Sequence, residues 1–136
     1  MVPIGGGGLI AGSALAVKYF GNNCTVIGTE PFEVDDAYRS LISGKIETNI
    51  STNTIADGLR TQLGDKNFPI ILNEVKNIIR ITEDEIIDSM KLIWQRLKII
   101  CEPSCSLPLA GILKNKNDFK GKKIGVVITG GNIDLS

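Results

Sequence analysis

Four consecutive glycines, Gly5, Gly6, Gly7 and Gly8, stand between the apolar stretch Val2-Pro3-Ile4 and an alanine-rich apolar run that opens Leu9-Ile10-Ala11-Gly12. This juxtaposition limits the fold more than any other feature. The first stretch reads as the end of a buried strand and the second as a helix, so the glycines form a strand-to-helix turn. Glycine tolerates φ > 0 and, lacking Cβ, lets a bulky anion touch the backbone. The amides then face that anion from above the positive end of the helix dipole. A phosphate group is the simplest ligand for such a cup, and a flexible hinge is the competing reading. The run matches neither the Gly-Lys-Ser/Thr ending of a P-loop nor the G-x-G-x-x-G dinucleotide pattern.

The 136 residues fit one domain, with no internal repeat and no boundary. The formal net charge is zero, which points away from nucleic acid and anionic membranes. No apolar run reaches the length of a membrane span. Three cysteines, Cys24, Cys101 and Cys105, fit a reducing, cytoplasmic setting better than a disulfide framework. The absence of histidine removes Ser-His-Asp and Cys-His catalysis and any His-ligated zinc. The strand feeding the glycines has almost no room before it, which leads us to expect a piece of a larger protein.

Along the chain, residues 9–20 read as a helix stopped by Gly21-Asn22-Asn23. Residues 24–29 (CTVIGT) read as a buried strand ended by Glu30-Pro31, and residues 33–42 as a helix closed by Ser43-Gly44. A polar, irregular stretch follows to residue 54. Residues 68–75 read as a helix with Pro69 in its first turn, and 78–81 (IIRI) as a strand. Thr82 and Glu85 form a capping box before a helix whose stripe runs Ile86, Met90, Ile93, Leu97 and Ile100, with Trp94 beside it in the core. Glu102-Pro103-Ser104 is expected to break that helix, and residue 108 to start another. The lysine-rich 114–123 reads as solvated surface. Residues 124–128 (IGVVI) are expected to be a last buried strand that delivers Thr129 to its carboxyl end. Apolar strands alternating with helices predict an α/β fold: a parallel sheet with helices on both faces. Ligands bind outside the carboxyl ends of such strands, where the four glycines, Glu30, Glu83 and residues 129–132 all fall.

Taken in order, VPIGGGGLIAG, GTEP with VDDAY, TIADGL, ITEDEI, CEPS and VVITGGNIDLS resemble the serine racemase and catabolic threonine/serine dehydratase family over the whole chain. These are fold-type II enzymes that use pyridoxal 5'-phosphate (PLP). The resemblance implies that residues 1–136 are the C-terminal portion of the PLP-binding large domain. It implies that Gly5, Gly6, Gly7 and Gly8 hold the cofactor phosphate and that Thr129 bonds the pyridine nitrogen, although Thr129 could instead merely cap its strand. Gly58 and Glu102 are implied to lie close to the ring. Glu30, Val34 and Asp36 match a divalent-metal site, with two carboxylates and the Val34 carbonyl as ligands, suited to magnesium, calcium or manganese. Spacing alone favours a strand-end acid at Glu30 and a solvated charge at Asp36.

The resemblance implies a small-molecule amino-acid substrate, no nucleic-acid or membrane partner, and a homodimer in the complete enzyme. The expected activity is a threonine/serine ammonia-lyase giving a 2-oxo acid and ammonia. Serine racemase and hydroxyaspartate dehydratase are alternatives, and a non-catalytic phosphate-binding or interaction domain is the rival of another class. Two departures stand out. No lysine matches the family's imine-forming Ser-x-Lys motif, so this chain alone is expected to be inactive. Within CEPSCSLPLAG, Ser106-Leu107-Pro108 also stand where many relatives keep a glycine-containing segment.

Overall fold

The computed structural model describes residues 1–135. Three parallel strands, β1 (Val2–Pro3), β2 (Val26–Pro31) and β3 (Val75–Ile81), lie side by side in the order β1-β2-β3. The connections are helical: α1 (Gly8–Phe20) joins β1 to β2, while α2 (Asp36–Ser43) and α3 (Phe68–Glu74) lie between β2 and β3. Two further helices, α4 (Glu83–Leu97) and α5 (Pro103–Lys114), follow β3.

Successive residues of a strand face opposite sides of the sheet, and neighbouring isoleucines of β3 separate accordingly. Ile78 packs with Ile4, Ile10 and Ile71 in one core, and Ile79 and Ile81 pack with Ile86, Leu107 and Ala110 in another. Helices therefore cover both faces, as the apolar strands predict. In α1, Ile10, Ala11 and Ala14 turn inward. Gly28 in β2 lies where a Cβ would run into the Ile4 and Ile10 side chains, so its bareness brings α1 down onto the sheet. Among the described residues, no helix is long and apolar enough to cross a membrane.

Thr82 caps α4 through the expected box, accepting from the Glu85 amide while the Glu85 carboxylate accepts from its own. Gly44 closes α2 at φ 72°. Pro69 sits in the first turn of α3, as its missing N–H favours.

Four expectations need correction. The second strand includes Glu30 and Pro31, because Pro31 pairs with Ile81 at the far end of the ladder instead of stopping it. The last helix starts at Pro103, five residues before the expected start. Pro103 takes the N-terminal position where no N–H is needed, and Pro108 lies inside the helix. The stripe of α4 holds at Ile86 and Ile93 but fails beyond, with Leu97 56% and Ile100 55% exposed. Lys98 ends that helix at φ 58°, and the Trp94 indole donates to the Cys101 carbonyl at 2.9 Å across the returning chain.

The fourth correction concerns residues 124–128. They are extended but form no buried strand; Val127 and Ile128 are 37% and 38% exposed. Val127 N donates to Met1 O at 3.2 Å, and the Met1 amino group donates to Gly125 O at 2.9 Å. That is the pattern of a parallel pair, made here with Met1 beside β1.

Candidate active site at the carboxyl edge of the sheet

The glycine loop leaves β1 at its carboxyl end. Gly7 precedes α1 at φ 87°, and a Cβ there would come within 2.7 Å of Leu63 and 2.9 Å of Ile71. Gly5 is nearly as confined, by Thr61 and the Gly58 carbonyl. Gly6 and Gly8 meet nothing closer than 3.8 and 3.9 Å, so their Cα faces are open. The outer side of the loop is tied down where Asn67 Nδ2 and the Gly64 amide both donate to Gly6 O, at 2.9 and 3.0 Å. No side chain caps α1. Its first-turn amides lack intrahelical acceptors and give this end an electropositive surface.

A cleft of about 290 Å³ opens over the loop, lined by Gly5, Gly6, Gly7, Gly8, Gly58, Glu102, Ser104 and Thr129 among others. Every residue that the sequence assigned to cofactor contact borders this one space. Gly58 belongs to a 3-10 turn (Asp57–Leu59), where its amide donates to Ser104 Oγ at 3.1 Å and a Cβ would crowd that hydroxyl. Glu102 is the residue before α5, and no cap bond occupies its carboxylate. Gly130 passes so close that a Cβ there would lie 3.3 Å from Glu102 Oε1. Thr129 reaches the cleft from an extended, exposed segment, without the predicted strand behind it. The sequence reading missed Ser104, and a serine after Glu-Pro gives no signal by itself. Among the described residues, no lysine lines this cleft. A second cleft, of about 340 Å³, lies at the opposite end of β2 and β3 and includes Lys18, Cys24 and Glu74. Of its two lysines, Lys18 is paired with Glu74, and Lys76 also lines it.

Glu30 and Asp36 form a separate acidic site between β2 and α2. Both are buried, 1% and 0% exposed, which overturns the reading of Asp36 as a solvated charge. The Glu30 carboxylate accepts from the Ala37 and Tyr38 amides at 3.0 and 2.9 Å, at the electropositive start of α2. Asp36 Oδ2 accepts from the Leu63 amide at 2.6 Å, while Oδ1 is buried with no hydrogen-bond partner. Burial pushes Glu30 well above the usual carboxylate range. The two amides pull against that shift, and the neighbouring Asp36 adds to it. Val34 is also buried, in the turn between them. Among the described residues, no group of three or more His, Cys, Asp or Glu side chains converges to hold a metal. This pair supplies two carboxylates only.

The match to known proteins is extensive. The serine racemase of Dictyostelium discoideum is 48% identical over 142 aligned residues, covering 100% of this chain and 43% of that protein. The beta-hydroxyaspartate dehydratase of Paracoccus denitrificans is 46% identical, covering 99% and 43% respectively. Among solved structures, the threonine deaminase of T.th. superposes with a TM-score of 0.93 at 39% identity, over 99% of this chain and 45% of that one. The chain thus spans less than half the length of these relatives. The family model for pyridoxal-phosphate dependent enzymes matches residues 1–130. With the glycine loop, the cleft above it and the parallel sheet beneath, this chain belongs to the pyridoxal-phosphate dependent enzyme family.

Proposed function

We propose that residues 1–136 are the cofactor-phosphate-binding portion of the large domain of a PLP-dependent ammonia-lyase, which converts threonine or serine to a 2-oxo acid and ammonia. The observation that carries this reading is the single cleft shared by the glycine loop, Gly58, Glu102 and Thr129. On this reading the open faces of Gly6 and Gly8 admit the phosphate, and the loop and first-turn amides of α1 donate to it. Gly58 and Glu102 border the ring, and the Thr129 hydroxyl donates to the ring nitrogen. Bound there, PLP supplies an electron sink for charge developing at the substrate α-carbon. A threonine hydroxyl has no charge with which to hold a proton on the ring nitrogen. That choice suits loss of a β-hydroxyl, or return of the α-proton, over transamination. With no lysine in the cleft, the lysine that the chemistry needs comes from residues other than these.

The identities to a serine racemase and a hydroxyaspartate dehydratase keep racemisation and hydroxyaspartate dehydration as second readings of the same site. In the full-length protein, 2-oxo acid release from threonine, serine and hydroxyaspartate, set against inversion of serine, separates the three.

We also place a divalent cation, magnesium, calcium or manganese, between Glu30, Asp36 and the Val34 carbonyl. The partnerless Asp36 Oδ1 and the two adjacent buried carboxylates support it, since a hard cation satisfies the one and relieves the repulsion of the other. Calcium or magnesium then raises the melting temperature by mass action, and Asp36→Ala abolishes most of that rise. An unchanged metal response in the variant removes the site.

For the cleft itself, equilibrium dialysis of the chain against PLP is the test. Gly6→Val places a side chain in the open face of the cup. PLP affinity should fall about tenfold or more, the worth of one charge-assisted hydrogen bond, with the melting temperature unchanged. Undiminished affinity overturns the proposal.

A further inference from the structure

One short segment, residues 61–64, joins the acidic pair to the glycine loop. Thr61 stands beside Gly5, where a Cβ would lie 3.1 Å from its hydroxyl oxygen. Leu63 fills the space beside Gly7, and its side chain is one of those that a Gly7 Cβ would strike. The Gly64 amide donates to Gly6 O at 3.0 Å. The loop therefore rests on this segment at Gly5, Gly6 and Gly7. The segment is neither helix nor strand, so its position is set by what holds it. The Leu63 amide, directly before the Gly64 amide that holds Gly6, donates to Asp36 Oδ2 at 2.6 Å. Leu63 is 5% exposed and Asp36 is 0%, so water does not compete for this bond. A second tie, from Asn49 Nδ2 to Thr61 O at 3.1 Å, lies on the exposed side. Asp36 is itself firmly placed. It is the first residue of α2, and the Glu30 carboxylate of β2 accepts from the next two amides, those of Ala37 and Tyr38. A carboxylate bonded to a backbone amide makes a strong hydrogen bond, and a buried amide left without its acceptor is costly.

We propose that Asp36 is a positioning residue for the phosphate cup: its carboxylate, bonded to the Leu63 amide, holds residues 61–64 beneath the glycine loop and so fixes where Gly5, Gly6 and Gly7 stand. This role uses Oδ2 and needs no metal, whereas the cation proposed between Glu30 and Asp36 takes Oδ1. Every contact in the chain of support is buried or made by backbone, from Glu30 through Asp36 and Leu63 to Gly7. The inference gives a buried acid that does not line the cleft a part in shaping it. It rests on the proposed contact between the glycine loop and the PLP phosphate.

The test uses the full-length protein with PLP bound, in EDTA so that no divalent cation contributes. Hydrogen exchange of peptides covering residues 5–9 and 61–64 reports the support, and PLP affinity reports the cup. Asp36→Ala should speed exchange in both peptides and weaken PLP about three- to ten-fold, the size of one hydrogen bond, while residues 78–81 of β3 keep their rates. Asp36→Asn retains an oxygen for the Leu63 amide and should restore both readouts. Asp36→Leu, which fills the space but accepts nothing, replaces Asp36→Ala if that variant fails to fold. Faster exchange confined to residues 61–64, with PLP affinity unchanged, overturns the inference. So does acceleration shared equally by residues 78–81, or an Asp36→Asn variant no better than Asp36→Ala. If Gly6→Val weakens PLP and Asp36→Ala does not, the inference fails and the reading of the glycine loop survives. If Gly6→Val leaves PLP affinity intact, that reading falls and the inference with it.

Discussion

The two walls of the cleft are built in opposite ways. The glycine wall is rigid from beneath: β1 pairs with β2, Gly7 is wedged against Leu63 and Ile71, and Gly6 is tied through its carbonyl to Gly64 and Asn67. The Thr129 wall is pinned at single points, with open space where a Gly125 Cβ would stand and Val127 partly exposed. Both walls have the same sequence signature, a short apolar run ending in glycines. What differs is the neighbour. Strand Val2–Pro3 lies against the six-residue strand β2, whereas among the described residues the backbone hydrogen bonds seen for residues 124–128 run to Met1.

The contrast can be broken most forcefully at Gly7. Gly7→Ala forces a side chain into φ 87° and against two packed residues. It should destabilise the fold by about 2–4 kcal/mol, the sum of left-handed strain and overpacking. The matching change on the other wall, Gly125→Ala, meets nothing within 4 Å and should stay within about 0.5 kcal/mol. Urea unfolding of the pair measures both, and equal losses would erase the distinction between the walls.

A smaller effect comes from the buried acid behind the glycine wall. Burial raises Glu30 above its ordinary value of 4.5, so the folded state binds more protons than the unfolded one. The stabilisation is complete below pH 4.5 and is lost as pH rises through the folded value. Without divalent metal, melting temperature should decline over that interval, and Glu30→Gln should flatten the decline. A profile in the variant as steep as in the parent would mean that another group controls it.

Much of this was legible in the sequence, and the failures share a cause. The capping box at Thr82 and Glu85, the Gly44 stop and the Pro69 start depend on contacts a few residues apart, and each formed as read. The parallel sheet followed from apolar strands alternating with helices. What misled were features decided by distant partners. Pro31 stayed in its strand because Ile81 lies opposite, and Leu97 became exposed because Lys98 turns the chain away. Asp36 looked like a surface charge because nothing local announces that Leu63, 27 residues on, will donate to it. At the site, the glycine turn between strand and helix was legible from backbone freedom. Ser104 and Cys105 gave no such signal, because their bonds form only once Gly58 and Gly130 arrive.

The central claim is that the two walls serve one ligand, phosphate on the first and ring on the second. Amide chemical shifts of the chain, titrated separately with inorganic phosphate and with PLP, test it directly. Phosphate alone should move the amides of Gly6, Gly7, Gly8 and Leu9 and leave Thr129 and Gly130 in place. PLP should move both sets, together with Gly58. The account is contradicted if PLP leaves the glycine amides unmoved, or if its shifts gather at Lys18, Cys24 and Glu74 around the larger cleft at the other end of the sheet.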